Sequence, residues 1–575
     1  IWLWFCVRGT RYRAPLRTFQ ALTINPADRC TWEELQSIEL YDRYRQLDQL
    51  YRAGELDREQ SAEYHMLNGL YIKGQINAFA SYTRPFWFYL IYSTFICSYL
   101  MMGGFRAAIL IDTLQGSLIL IFSIMLIPVS LMKLGGWSEF AARIPDPMLY
   151  VFGSGNNEFA WNSIAALVLA TVIGITGHQG NMGLNGSARD ELTAQIANIG
   201  GAYTKRLLTI AWALCGLFAY ALYSSSISDP DMAWGVLSQN LLGPGLRGIM
   251  LAGILGANMS TMDTVCVYLS ALFVRHLYKP FVKNKSPRHY INVSRIAIAC
   301  YLLLGIWVSC NTSSIIHVVK ALPSLNIIFG APVLLLLFWK RLTLKAVYVE
   351  VIVCSILLAA LPQWLPTYKS VKYSPWLTAQ TQQQTVARSR PASQEDVDRG
   401  LADKVGRKIK KTALVPPTSV YFDSVVRIDP EDPSSPLEGI GRLHTELILA
   451  CWLGFDLPSM SPSALLTLRY LIASILPFLL LIPVSWLTCD KGLEETIARF
   501  YAKMKTPVDP DPKKDAEELA KSYADPSRFD HTKLLPCSNW EFCKWTRTDM
   551  LGFLVSVGIT LGILFLFWGL IRLID

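Results

Sequence analysis

Ten apolar runs divide the chain, near residues 85–102, 107–131, 160–178, 204–224, 246–274, 290–310, 323–339, 344–364, 464–488 and 549–572. A helix rises about 1.5 Å per residue, so about 20 apolar residues cross the roughly 30 Å of hydrocarbon in a bilayer. Inside lipid a segment must satisfy its own backbone hydrogen bonds, which leaves helices as the reading for runs of this length. Of the 575 residues only 17% are charged and 52% are hydrophobic, whereas soluble domains carry about 25% charge. That balance argues against a soluble enzyme and against a disordered or fibrous chain. The expected fold class is an all-α polytopic membrane protein, lying multi-pass in a cell membrane with the lipid bilayer as its surroundings.

The charges are informative only when sorted by loop. The chain is basic, 53 Lys and Arg against 44 Asp and Glu, but the excess is a membrane-topology signal and not a nucleic-acid footprint. Residues 275–295 carry Arg275, Lys279, Lys283, Lys285, Arg288 and Arg295 with no acid, while 225–245 carry Asp229 and Asp231 with no base. The positive-inside rule puts the first loop in the cytoplasm and the second outside. Arg189, Lys205, Arg206, Lys340, Arg341 and Lys345 then fall inside as well.

The expected organisation follows. Residues 1–7 read as the tail of a membrane helix whose start is absent, so the chain is expected to be a fragment lacking N-terminal helices. Residues 8–84 are a soluble helical insertion, opened by the capping box Thr31-Trp-Glu-Glu34. The core helices span 85–364, and a tight turn at Gly103-Gly104 is expected to join the first two. A polar insertion covers 365–463, a membrane helix 464–488, a polar cytoplasmic loop 489–548 and a last membrane helix 549–575. The twelve cysteines form no CxxC pair and read as small buried hydrophobes.

Polar groups inside membrane spans are costly and are default functional candidates. Residues 248–264, Gly-Ile-Met-Leu-Ala-Gly-Ile-Leu-Gly-Ala257-Asn-Met-Ser260-Thr261-Met-Asp263-Thr264, combine small residues with a cluster of oxygens. Ser260 and Asp263 share a face at i, i+3, and hard oxygen donors at this density suit a small dehydrated cation. The alternative is that these hydroxyls merely bond the carbonyl one turn back. Asp112 lies about 9 Å along its helix from Arg106, either in a functional site or as a solvated cap at the cytoplasmic edge. Gly174-Ile-Thr-Gly177-His178-Gln179-Gly180-Asn181 dissolves a span into a polar stretch. Such backbone at membrane depth lines a cavity or ends a helix.

Four segments together resemble the sodium/solute symporter family. Gly103-Gly104-Phe-Arg-Ala-Ala-Ile-Leu-Ile-Asp112-Thr-Leu-Gln115 is similar to the family's GG-x-x-A-x-x-x-T-D-x-x-Q stretch, with Ile111 in place of the usual Thr. Asp229-Pro-Asp-Met-Ala-Trp-Gly235 with Leu241-Leu-Gly-Pro-Gly-Leu-Arg-Gly248 resembles the loop before the eighth core helix. Ala257-Asn-Met-Ser260-Thr261-Met-Asp263 resembles that helix's sodium motif, and Ala331-Pro-Val-Leu-Leu-Leu-Leu-Phe-Trp-Lys-Arg341 resembles the tenth core helix. The resemblance covers roughly 85–364. It implies two inverted five-helix repeats, incomplete at the N-terminus, with ion and solute near the midplane. It also implies that the Ser260 and Thr261 hydroxyls and the Ala257 carbonyl bind sodium and that Asp112 lies on the cytoplasmic sodium exit route; Asp263 is a further candidate on the sodium pathway, and Gln115, His178 and Gln179 are candidates for the solute cavity.

The implied function is sodium-coupled symport of a small organic solute, with sodium as the cofactor and the location that of a bacterial inner membrane. The alternative is a non-transporting receptor or scaffold on the same fold. An enzyme is not expected, because Asp429-Pro-Glu-Asp432-Pro and Asp509-Pro-Asp511-Pro read as solvated loops. The solute and the oligomeric state stay open.

Overall fold

The computed structural model describes residues 30–53, 58–72, 79–145, 160–186, 188–224, 230–310, 315–382, 384–391, 408–415, 417–429, 435–488, 492–536 and 538–574, with a few positions between. The expected helix tail at 1–7 lies outside these residues.

Among the described residues eight helices are long and apolar enough to cross a membrane: Pro85–Gly103, Leu110–Leu134, Glu191–Tyr223, Pro244–Tyr278, Pro287–Cys310, Leu344–Thr367, Pro462–Leu487 and Arg547–Arg572. Two shorter apolar helices, Trp161–Thr176 and Pro323–Phe338, stand at the other two expected runs. The protein is a multi-pass membrane protein with helical spans. Among the described residues the strands form two hairpins inside the insertion 365–463, where no sheet was expected: β1 (Gln384–Pro391) with β2 (Lys408–Val415), and β3 (Phe422–Arg427) with β4 (Leu437–Leu443), both antiparallel.

Ahead of the core, α1 (Trp32–Ala53) and α2 (Arg58–Ile72) form a helical hairpin. The expected capping box is present. The Glu34 amide donates to the Thr31 hydroxyl at 3.3 Å, and the Thr31 amide donates to the Glu34 carboxylate at 2.9 Å. Leu47, Tyr64 and Leu67 fill the hairpin's core.

The core begins with α3 (Pro85–Leu134), which carries the two apolar spans Pro85–Gly103 and Leu110–Leu134 as two arms. Its partner is α7 (Pro244–Leu272). Along the first arm of α3, the Tyr92 hydroxyl donates to the Leu255 carbonyl and Tyr99 reaches Asp263, so this arm runs parallel to α7. Along the second arm, Asp112 meets Thr264 and Phe122 packs on Gly253, so this arm runs antiparallel. A straight helix would hold Tyr92 and Phe122 about 45 Å apart, beyond the reach of two side chains that meet α7 within one turn of each other. The direction of α3 therefore reverses between Tyr99 and Asp112. The expected turn at Gly103-Gly104 falls in that interval, between the end of one apolar span at Gly103 and the start of the next at Leu110.

A second group joins α4 (Trp161–Thr176), α9 (Ile315–Phe338), α10 (Leu344–Ser355) and α11 (Pro462–Leu487) around Ala170, Ile327, Ala331, Cys354 and Ala473. The remaining helices are α5 (Gln179–Gly186), α6 (Glu191–Tyr223) and α8 (Pro287–Cys310), of which α8 packs Ile298, Leu302 and Ile306 with Tyr89 of α3 and Met262 of α7. At the α4–α9 crossing the backbones touch. A Cβ on Gly330 would collide with the Ile173 carbonyl and stand 2.8 Å from the Gly174 Cα. The Thr176 hydroxyl donates to the Gly330 carbonyl at 2.8 Å across this crossing. Small residues are what permit helices to approach this closely in a membrane.

The polar segments dock at opposite ends of the α9–α10 pair. Arg442, on β4, donates from Nη2 to the Leu358 carbonyl just past α10 at 2.7 Å. At the other end the Glu541 amide donates to the Phe338 carbonyl at 2.8 Å, and the Lys340 amide to the Asn539 carbonyl at 2.9 Å. The buried Glu541 carboxylate gathers Lys340 at 2.9 Å, Lys505 at 2.6 Å and Lys533 at 2.9 Å. Lys505 closes α12 (Glu494–Lys505), which is followed by α13 (Pro512–Ala524) and the terminal α14 (Arg547–Ile574). Burial alone would push the Glu541 carboxyl up, but the three ammonium groups outweigh it and hold it below the usual carboxylate range.

Candidate functional site

The reversal of α3 places both of its arms against the middle of α7. Gly256 makes the approach possible, since a Cβ there would stand 3.1 Å from the Gln115 side chain. The meeting point brings together Tyr99, Asp112 and Gln115 of α3 with Ser260, Asp263 and Thr264 of α7, which are far apart in sequence.

Asp263 is fully buried. From the first arm the Tyr99 hydroxyl donates to its Oδ2 at 3.0 Å, and the Thr264 amide donates to its Oδ1 at 2.5 Å. Asp112, on the second arm, lies 3.3 Å from the Thr264 hydroxyl through Oδ2. The same hydroxyl is 3.3 Å from Asp263 Oδ1 and 3.1 Å from the Ser260 carbonyl. It has one proton to donate and three acceptors within reach. The Ser260 side chain lies beside the Asp112 carboxylate.

These donors are too few for the acceptors. Asp112 Oδ1 and Gln115 Oε1 are buried with no hydrogen-bond partner among the described residues. The two residues sit at i, i+3 on one face of the second arm. An unsatisfied buried acceptor costs about 1–3 kcal/mol, more when charged. Among the described residues no lysine or arginine pairs with Asp112 or Asp263 either. A small dehydrated cation would meet the carboxylate and the amide oxygen together, with Ser260 and Thr264 close by.

The remaining sequence candidates are placed differently. Thr261 lies on an exposed side of α7, and Ala257 is half-buried. His178 sits at the junction of α4 and α5, where its amide donates to the Ile175 carbonyl at 3.1 Å. From there α5 reaches α7 at the Gly183–Tyr268 contact. The Gln179 side chain lies outside the described residues. A buried carboxylate within a membrane span escaped the sequence reading. Glu350, on α10, is fully buried, and among the described residues no nitrogen or oxygen donor reaches it. The Cys354 thiol, one turn on, is its polar neighbour. A lone acid inside the apolar run 344–364 was the signal that could have found it.

Residues 81–353 match the family described as the sodium:solute symporter family. The sodium/proline symporter of Haemophilus influenzae is 26% identical over 293 residues, 47% of this chain and 56% of that protein. The high-affinity proline transporter of Bacillus subtilis is 26% identical over 263 residues, 43% of this chain and 53% of that one. The chain thus spans about half the length of the curated relatives it matches. A sodium-coupled sialic acid symporter, solved substrate-bound and outward-open, superposes with a TM-score of 0.40 at 16% identity, over 62% of this chain and 80% of that one.

Proposed function

Residues 81–353 belong to the sodium:solute symporter family, and from this premise we propose that the protein couples the inward flow of sodium to the uptake of a small organic solute by alternating access. The family's inverted repeats carry ion and solute near the midplane and rock against each other. Each sodium supplies about 2.3 kcal/mol per 100 mV of membrane potential. The observation that carries the reading is the pair of orphaned acceptors, Asp112 Oδ1 and Gln115 Oε1, beside Ser260 and Thr264.

In this reading sodium is held by Ser260, Thr261 and the Ala257 carbonyl, as the family motif implies, and passes Asp112 on its way to the cytoplasm. Asp263, tied to Tyr99, adds negative potential from the rear. Gln115, His178 and Gln179 border the solute. The basic loop 275–295 faces the cytoplasm together with 489–548, and the β-hairpin insertion faces outside. Two matched relatives are named for proline, which makes proline the first solute to test.

The test is uptake of labelled proline into proteoliposomes holding the purified chain. An inward sodium gradient should drive uptake, and an equal potassium gradient should not. Sodium-independent binding of proline with no flux under either gradient would overturn the symporter reading and favour the receptor built on the same fold.

A further inference from the structure

A crevice of about 720 Å³ runs between α6 and α14, away from the ion site. It extends along α6 from Asn198 to Ala213, about 22 Å at the helical rise. One end is lined by Ala213, Ile563 and Phe567, all apolar. Arg206 lines it midway and opens the apolar run Leu207–Tyr223 on its basic side. The helix α14 leaves most of its surface uncovered by protein, and none of its apolar window is buried. The crevice is therefore open to the bilayer.

The hydroxyls around Arg206 are already spent. Tyr203 donates to the Ser556 carbonyl at 3.0 Å, Thr209 to the Lys205 carbonyl at 2.8 Å and Thr560 to the Ser556 carbonyl at 2.9 Å. The acids beyond the basic ends of these helices are engaged as well. Asp190 accepts from Thr193, Glu191 from Gln195 and Asp549 from Thr546. Among the described residues no acidic side chain pairs with Arg206. An exposed guanidinium with five donors beside an apolar slot is complementary to an anion that also carries a long apolar body. Basic pockets between membrane helices have this complementarity to anionic headgroups.

We propose that the α6–α14 crevice is a binding site for an anionic phospholipid, its phosphate on Arg206 and one acyl chain running toward Ala213 and Phe567. The lipid would fill the space between the core and the terminal helix and fasten α14 to it. This does not depend on the transport reading.

Native mass spectrometry of the full chain in detergent tests it, with phosphatidylglycerol and phosphatidylcholine of matched acyl chains as probes. Phosphatidylglycerol should be retained about tenfold better. Arg206→Gln should remove that preference, and Lys205→Gln, which does not line the crevice, should keep it. Ala213→Trp, which fills the apolar end, should lower retention of both lipids, and millimolar glycerol phosphate should displace neither. An unaltered preference in Arg206→Gln, an equal loss in Lys205→Gln, or displacement by glycerol phosphate would each overturn the proposal. Thermal melting of Arg206→Gln at the parent's temperature certifies that the loss is not unfolding. If Arg206→Gln does not fold, the parent's preference and its resistance to glycerol phosphate still decide the matter.

Discussion

The Tyr99 hydroxyl donates to the Asp263 carboxylate at 3.0 Å, tying the first arm of α3 to the centre of α7. In Tyr99→Phe the carboxylate stays buried but loses this donor. The expected cost is about 1–3 kcal/mol of stability, since a buried acceptor loses its partner and gains none. Thermal unfolding in detergent measures it, and in the Asp263→Asn background the same change should cost less. A Tyr99→Phe protein as stable as the parent would mean that Asp263 finds another donor.

The oxygen cluster should govern sodium dependence. Removing one ligand oxygen costs about 1–2 kcal/mol, or roughly tenfold in affinity. Asp112→Asn should therefore slow sodium-driven turnover with little change in apparent solute affinity. The double variant Ser260→Ala, Thr261→Ala should abolish sodium stimulation with the protein still inserted. Asp263→Asn should weaken sodium dependence less than the double variant. Normal sodium dependence in the double variant would reduce residues 257–264 to helix packing.

The α4–α9 crossing should tolerate no added carbon. Gly330→Ala places a methyl group against the Ile173 carbonyl and beside Gly174. Overpacking of this kind costs about 1–3 kcal/mol or more, and the Thr176–Gly330 hydrogen bond would be strained with it. Gly216→Ala is the control, because nothing lies within 4 Å of its new carbon. The yield of folded protein and its melting temperature should fall for Gly330→Ala and hold for Gly216→Ala.

The clamp around Glu541 should depend on pH at both extremes. The Glu541 carboxyl is held below its ordinary value of 4.5, so its contribution is present above that value and is lost as the pH falls through the lower folded value. The Lys533 ammonium, desolvated but held by Glu541 and Asp530, is raised above its ordinary 10.5. Its contribution is complete below 10.5 and disappears as the pH rises through the higher folded value. Amide exchange of residues 494–505 and 538–544 should thus stay slow at neutral pH and accelerate below about pH 4.5. Glu541→Gln should accelerate it at neutral pH. Unchanged exchange in that variant would mean that the stacking of Trp339 on Trp540, 5.8 Å between ring centroids, holds the segment by itself.

All ten runs of the sequence became helices because a bilayer leaves the backbone no other partner than itself, and run length reads that demand directly. The Thr31–Glu34 cap was equally legible, since it closes within one turn. The cluster on α7 was visible as a motif, with Ser260 and Asp263 one turn apart. Its completion was not. Tyr99 and Asp112 reach neighbouring residues of α7 only because α3 folds back, and Thr264 meets Asp112 across 152 residues of chain. The Glu541 clamp, the contact of Gly330 with Gly174 and the crevice beside Arg206 likewise join segments with no local signal between them. Periodicity and hydropathy report what each segment must do with water and lipid. Which segments then face each other is decided by packing, and packing energies depend on shapes that meet only in the folded chain.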